Sequence, residues 1–130
     1  MSRRTVESPA APRPVGPYAQ AAVTGALVFC AGQIGLDPAS GRLVPGGTVA
    51  ELEQAIANLA AVLAGDGLTL DDVVKTTVFL VDLADGPAMN AAYGHAFTAP
   101  YPARSTVGVS ALPAGARIEI EAIAARRGGG

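Results

Sequence analysis

Two spacings of hydrophobic residues run along this chain. Leu52, Ile56, Leu59 and Leu63 recur at the three-to-four-residue interval of a helix with one buried stripe. Gly65 or Gly67 ends that run, and Thr48-Val49-Ala50-Glu51 precedes it as a capping box, hydroxyl and carboxylate serving the free amides of a helix start. A second helix is predicted from Asp85 as cap, with Pro87 in its first turn and Met89, Tyr93 and Phe97 as its stripe. Elsewhere the spacing changes. Residues 26–31 and 73–81 are apolar on nearly every position, the habit of strands covered on both faces. Ile118-Glu119-Ile120-Glu121 alternates, as a strand with one buried face does. Two helices can cover only one face of such a sheet, so the other face requires another partner, and a second copy of the chain is the simplest.

Arg104 enters a further apolar run, Pro102-Ala103-Arg104-Ser105-Thr106-Val107-Gly108-Val109. Arg104 and Thr106 share one face of that strand, Val107 and Val109 the other. If this strand and 118–121 form an antiparallel hairpin through 111–115, Arg104 and Glu119 lie together on the non-core face. Two readings of that pair stay open: a structural ion pair, or a carboxylate reader beside a base.

Composition sets the outer limits. The 130 residues are half hydrophobic and 15% charged, enough for one domain, 1–130, with an apolar surface that favours oligomers. A net charge of −2 and a pI near 5.2 supply no footprint for nucleic acid. The single cysteine, Cys30, has no partner for an internal disulfide and sits in an apolar strand as a buried, inert thiol. The N-terminal residues lack the apolar stretch of a secretory signal, and no segment reaches the roughly 18 unbroken apolar residues of a membrane span. A cytoplasmic location follows. Ser8 to Pro17, rich in proline, reads as an extended loop, and 126–130 as a flexible tail.

Few other residues offer chemistry. His95 lies across the second helix from Tyr93 and Phe97 and reads as a solvated surface residue. One histidine and one cysteine make no zinc site, and no acidic loop has calcium spacing, so neither metal nor cofactor is expected. Gly32, in Gly32-Gln33-Ile34-Gly35, either marks a strand-end bulge or lets a ligand reach the backbone. Tyr18 is an aromatic between turn residues, packed or borne on a lid. Asn90 flanks the apolar stripe of the second helix.

Seven segments occur together in a familiar order: Gly16-Pro17-Tyr18-Ala19-Gln20-Ala21, Ala31-Gly32-Gln33-Ile34, Val74-Lys75-Thr76-Thr77-Val78-Phe79-Leu80, Met89-Asn90-Ala91-Ala92-Tyr93, Pro102-Ala103-Arg104-Ser105-Thr106-Val107, Leu112-Pro113 and residues 118–124. In these the chain resembles the reactive intermediate (enamine/imine) deaminase family, the YjgF group. The resemblance implies an α+β, chorismate-mutase-like fold: a single mixed sheet backed by two helices, assembled as a homotrimer with a barrel-like core and sites between subunits. It implies hydrolysis of enamine/imine acids such as 2-aminoacrylate to 2-keto acids and ammonia. By the same resemblance Arg104 binds the substrate carboxylate and Glu119 activates the attacking water. The backbone of Gly32 and Thr106 bonds substrate or water, and Tyr18 and Asn90 close or orient the pocket. Ala31 stands where many members carry serine, and Thr106 where some carry cysteine. The alternatives are a non-catalytic small-acid-binding or chaperone-like trimer, a deaminase of a larger enamine acid, and a ribonuclease, the last opposed by the acidic balance.

Overall fold

A computed structural model describes residues 3–127. Six strands, β1 (Arg4–Val6), β2 (Ala21–Thr24), β3 (Leu27–Gln33), β4 (Val73–Leu80), β5 (Ala103–Gly108) and β6 (Ile118–Ala125), form one sheet in the order β1-β2-β3-β6-β4-β5. All pairs are antiparallel except β4 with β5. Helices α1 (Thr48–Ala64) and α2 (Gly86–Ala96) pack together over one face. The fold is thus a mixed sheet with two helices. Each helix is a crossover: α1 carries the chain from β3 to β4, with β6 inserted between them, and α2 carries it from β4 to its parallel neighbour β5.

The helical spacing translates directly into the core. Leu52, Leu59 and Leu63 are fully buried, with Ile56 nearly so, against Val28, Val78, Leu80, Ile118 and Ile120 of the sheet. Met89, Tyr93 and Phe97 are buried from α2. The opposite sheet face is uncovered in the single chain. Leu27, Phe29 and Val107 stand at 40%, 42% and 40% exposure there, an apolar face of the kind that a further layer normally buries.

The expected β5–β6 hairpin does not form. β6 lies between β3 and β4, and among the described residues β5 is a sheet edge that pairs with β4 alone. The composition of the strands explains the placement. β6 presents Ile118, Ile120, Ala122 and Ala124 to the helices, all buried, and suits an interior position. β5 is shorter and carries Arg104, Ser105 and Thr106, which an edge tolerates. The faces are also reversed for β5. Arg104 pairs with Thr76 on the helix side, while Val107 pairs with Phe79 on the open side.

The caps differ as well. Gly47, at φ 88°, is the N-cap of α1, a conformation open to glycine, and no side chain caps the helix. Thr48 and Glu51 turn to tertiary partners instead: Thr48 Oγ1 donates to Asp85 Oδ2 at 2.6 Å, and Glu51 Oε1 accepts the backbone N–H of Arg117 at 2.8 Å. Asp85 occupies the N-cap position of α2 without a side-chain cap bond, its carboxylate committed to Thr48 and Arg117. A reciprocal cap does occur at Thr69 and Asp72, before the short turn into β4. Pro87 is in the first turn of α2, and α1 ends at Gly65.

Ser8 to Pro17 runs as a loop, pinned by the carboxamide of Gln20 to Ser8 N–H and to the carbonyls of Ser8 and Pro12. Within the expected tail, Arg126 pairs with Asp66 and Arg127 with Asp72. Residues 128–130 lie outside the described residues. Among the described residues no helix is long and apolar enough to cross a membrane.

Candidate active site

Arg104 leaves the edge strand toward α2 and meets neutral groups. Its Nη2 donates to Asn90 Oδ1 at 2.7 Å, its Nη1 lies 3.8 Å from Met89 Sδ, and its Cζ sits 4.8 Å from the centre of the Tyr93 ring. No carboxylate pairs with it among the described residues. Four other arginines find carboxylates, whereas Arg3, Arg13 and Arg42 are exposed and have no ion pair among the described residues. Arg4 and Arg126 share Asp66, Arg117 takes Asp85 and Arg127 takes Asp72. A guanidinium has five N–H donors in a planar fork matched to a carboxylate. At Arg104 most of that fork remains available, while the ring and Asn90 fix its plane.

Glu119 belongs to the other face. It pairs with Phe79 in the row that ends in Val107, and is half-buried, without a hydrogen-bonding or ion-pair partner among the described residues. Its carboxylate lies over Gly32, where a Cβ would come within 2.2 Å of Oε2. Any residue with a side chain at 32 would therefore displace it. Gly32 falls in the register shift between Cys30 and Gln33, so the bulge and the close approach coincide. Burial raises the pKa of Glu119 above the ordinary glutamate value, and the Glu121 charge two residues along adds to the rise.

Arg104 and Glu119 do not meet within one chain. They are two strands and three ladder positions apart, roughly 14 Å at standard sheet spacings, with side chains on opposite faces. The structural ion pair is therefore excluded as an intrachain contact. Asn90 joins Arg104, and Gly32 joins Glu119. Thr106 follows Arg104 on the helix face, with its Oγ1 buried and without a partner. Tyr18 lies in the loop before β2, a strand four spacings from β5, roughly 19 Å. Its hydroxyl accepts the Val15 N–H at 3.4 Å, and it lines a cleft of about 820 Å³ with Val6, Glu7, Arg13 and Gln20 that contains neither charged candidate.

Two other residues bear on Arg104. Tyr93 was legible as a core residue of α2 and not as a cation platform. Thr76, fully buried, bonds the Tyr93 hydroxyl at 2.7 Å; a threonine in an otherwise apolar strand was the available signal. His95 is exposed. Cys30 is buried, and its thiol is pushed up to about 11 by desolvation, which keeps it protonated and unreactive near neutrality. Among the described residues no group of three or more histidine, cysteine, aspartate or glutamate side chains could hold a metal ion.

The chain thus sets an open guanidinium at the edge of a mixed sheet with two helices, and a carboxylate over a glycine on the opposite face. Residues 8–126 match the endoribonuclease L-PSP family, and the chain belongs to it. Protein DfrA of Myxococcus xanthus is 48% identical over 126 residues, covering 95% of this chain and 96% of that protein. A protein of Capra hircus named 2-iminobutanoate/2-iminopropanoate deaminase is 46% identical over 122 residues, 94% of this chain and 89% of its own. The solved structure of the E. coli YjgF gene product superposes with a TM-score of 0.91 at 42% identity, over 95% of this chain and 99% of that one.

Proposed function

We propose that this protein is a cytoplasmic hydrolase that deaminates reactive enamine/imine acids, such as 2-aminoacrylate, to 2-keto acids and ammonia. The observation that carries the reading is the Arg104 guanidinium, oriented by neutral groups and left without a carboxylate of its own. It receives the substrate carboxylate through two parallel hydrogen bonds. The 2-aminoacrylate enamine tautomerises to 2-iminopropanoate, whose imine carbon is electrophilic. Glu119, ionised, takes a proton from a bound water as the oxygen adds to that carbon. That proton passes to the nitrogen to give a carbinolamine; the carbinolamine's hydroxyl proton then reaches the nitrogen as the C=O forms and the C–N bond breaks, so that one water and one imine become one keto acid and one ammonia. Gly32 leaves room for the Glu119 carboxylate and the water beside it. This is positioning plus general acid–base catalysis.

The opposite-face placement of the two charges is reconciled by assembly. In the proposed homotrimer the open, apolar face of one copy packs against its neighbour, so that Arg104, Asn90 and Thr106 of one copy approach Gly32 and Glu119 of another. Tyr18, on the loop before β2, closes the site formed between the two copies. Small anionic substrates also suit a chain of net charge −2 better than RNA does.

The test is ammonia release from freshly generated 2-aminoacrylate, with the protein present or absent. Acceleration by catalytic amounts of protein is expected. No acceleration, with 2-keto acid binding retained, would make the protein a non-catalytic small-acid binder.

A further inference from the structure

We infer that Tyr93 is a positioning residue for substrate capture, its ring serving as a fixed plate that holds the Arg104 fork in a binding-ready plane. The inference deepens the proposed function and rests on Arg104 being the carboxylate receptor.

Three contacts immobilise the ring. Its hydroxyl shares a 2.7 Å hydrogen bond with Thr76 Oγ1, in the interior of β4. Its face stacks on Phe97, with centroids 4.5 Å apart and planes inclined by 27°. The residue itself is 4% exposed. Thr76 is also the ladder partner of Arg104, so the strand that pins the ring is the one that places the arginine backbone. The guanidinium then lies over this plate, 4.8 Å from ring centre to Cζ, with Asn90 taking one in-plane N–H.

A guanidinium stacked on a ring keeps its donors in the plane, which is where a carboxylate must approach. An unsupported arginine would sample many rotamers and lose that freedom on binding. Support from Tyr93 moves the loss into folding, and the gain appears as affinity without any contact between Tyr93 and the ligand. The effect belongs to binding and not to the proton transfers at Glu119, so it should change KM and leave kcat alone.

The experiment measures pyruvate affinity by titration calorimetry, and KM and kcat for 2-aminoacrylate, in the parent, Tyr93→Phe, Tyr93→Leu and Arg104→Lys. Tyr93→Phe keeps the ring face and its stacking on Phe97 but loses the bond to Thr76, so its pyruvate affinity should fall less than that of Tyr93→Leu, to within about fivefold of the parent. Tyr93→Leu should raise both Kd and KM about five- to thirtyfold, the freedom of an arginine side chain, with kcat within about twofold. Tyr93→Met fills similar space without a π face and carries the same expectation, covering the case in which the leucine variant does not fold. Parental affinity in a folded Tyr93→Leu or Tyr93→Met protein, while Arg104→Lys loses pyruvate, overturns the role of Tyr93 alone. Equal falls in kcat and affinity would make Tyr93 merely structural. Pyruvate binding unchanged in Arg104→Lys would sink the carboxylate assignment on which the inference rests.

Discussion

Arg117 and Arg104 sit at opposite ends of the same problem. Arg117, at the entry to β6, donates through Nε to Thr48 at 3.0 Å and pairs with Asp85 at 3.4 Å, while its backbone N–H goes to Glu51. That corner ties α1, α2 and the sheet together, and its cation is neutralised within the chain. Bonds to Thr48 and Arg117 hold the Asp85 carboxyl below its ordinary value. Arg104 receives an amide, a thioether and an aromatic face, and no negative charge. At these two arginines, satisfied charge goes with architecture, and oriented but unneutralised charge goes with the proposed site.

Glu119→Gln should have the largest effect. It keeps shape and removes the base, so kcat should fall by about 10²–10⁴ while pyruvate binding persists. Near-parental turnover would remove Glu119 from the mechanism. Because its pKa is raised by burial and by Glu121, the acidic limb of kcat/KM should lie above the ordinary glutamate value of about 4.3. The stability effect has the opposite sign to that of a salt-bridged acid. The folded state holds the proton more tightly, so stability is lost as pH rises from the unfolded to the folded pKa. Glu119→Gln should therefore leave Tm at neutral pH unchanged or higher. A large drop would assign Glu119 to structure.

Arg104→Lys keeps the charge and loses the fork. A hydrogen bond to a charged group is worth about 1.5–3 kcal/mol, so pyruvate affinity should fall about ten- to hundredfold with Tm preserved. Arg117→Ala should do the reverse. Its pair is substantially exposed, at 46% and 28% for the two side chains, so thermal unfolding should show only a small drop in Tm, with kcat/KM of the folded protein unchanged. If Arg117→Ala abolished ligand binding while Arg104→Lys merely unfolded, the contrast between the two would be inverted. The smallest effect belongs to Thr106→Val. The hydroxyl it removes is buried and unpartnered, so Tm should hold or rise slightly and KM should stay parental if the ligand contact is through the backbone. A clear rise in KM would transfer the contact to the hydroxyl.

The two helices and most strands were legible because burial of one stripe or face leaves a periodic signature, as with Leu52 to Leu63 and Met89 to Phe97. The open apolar sheet face was legible for the same reason. Strand order was not. Alternation in Ile118–Glu121 is compatible with a hairpin to β5 or with insertion between β3 and β4, and only the competition among strands for interior positions decides. That error carried into the site, placing Arg104 and Glu119 on one face when the ladder puts them on two. The capping box at Thr48 failed because two tertiary partners, Asp85 and Arg117, outcompeted local amides for its side chains. The bulge at Gly32 was readable from a glycine in a strand, but its occupant, the Glu119 carboxylate, comes from a segment far along the chain.

The central claim is that one working site takes its arginine from one copy and its glutamate from another. Mixing Arg104→Lys and Glu119→Gln chains, unfolding them together and refolding them tests it directly. Each variant alone should release ammonia from 2-aminoacrylate at a small fraction of the parental rate. The mixed assembly should recover activity, approaching about a quarter of the parental rate at equal proportions, because that share of interfaces pairs an intact Arg104 with an intact Glu119. Mixed assemblies that form, by mass, yet stay as inactive as the separate variants would place both residues in one chain's site and contradict the account.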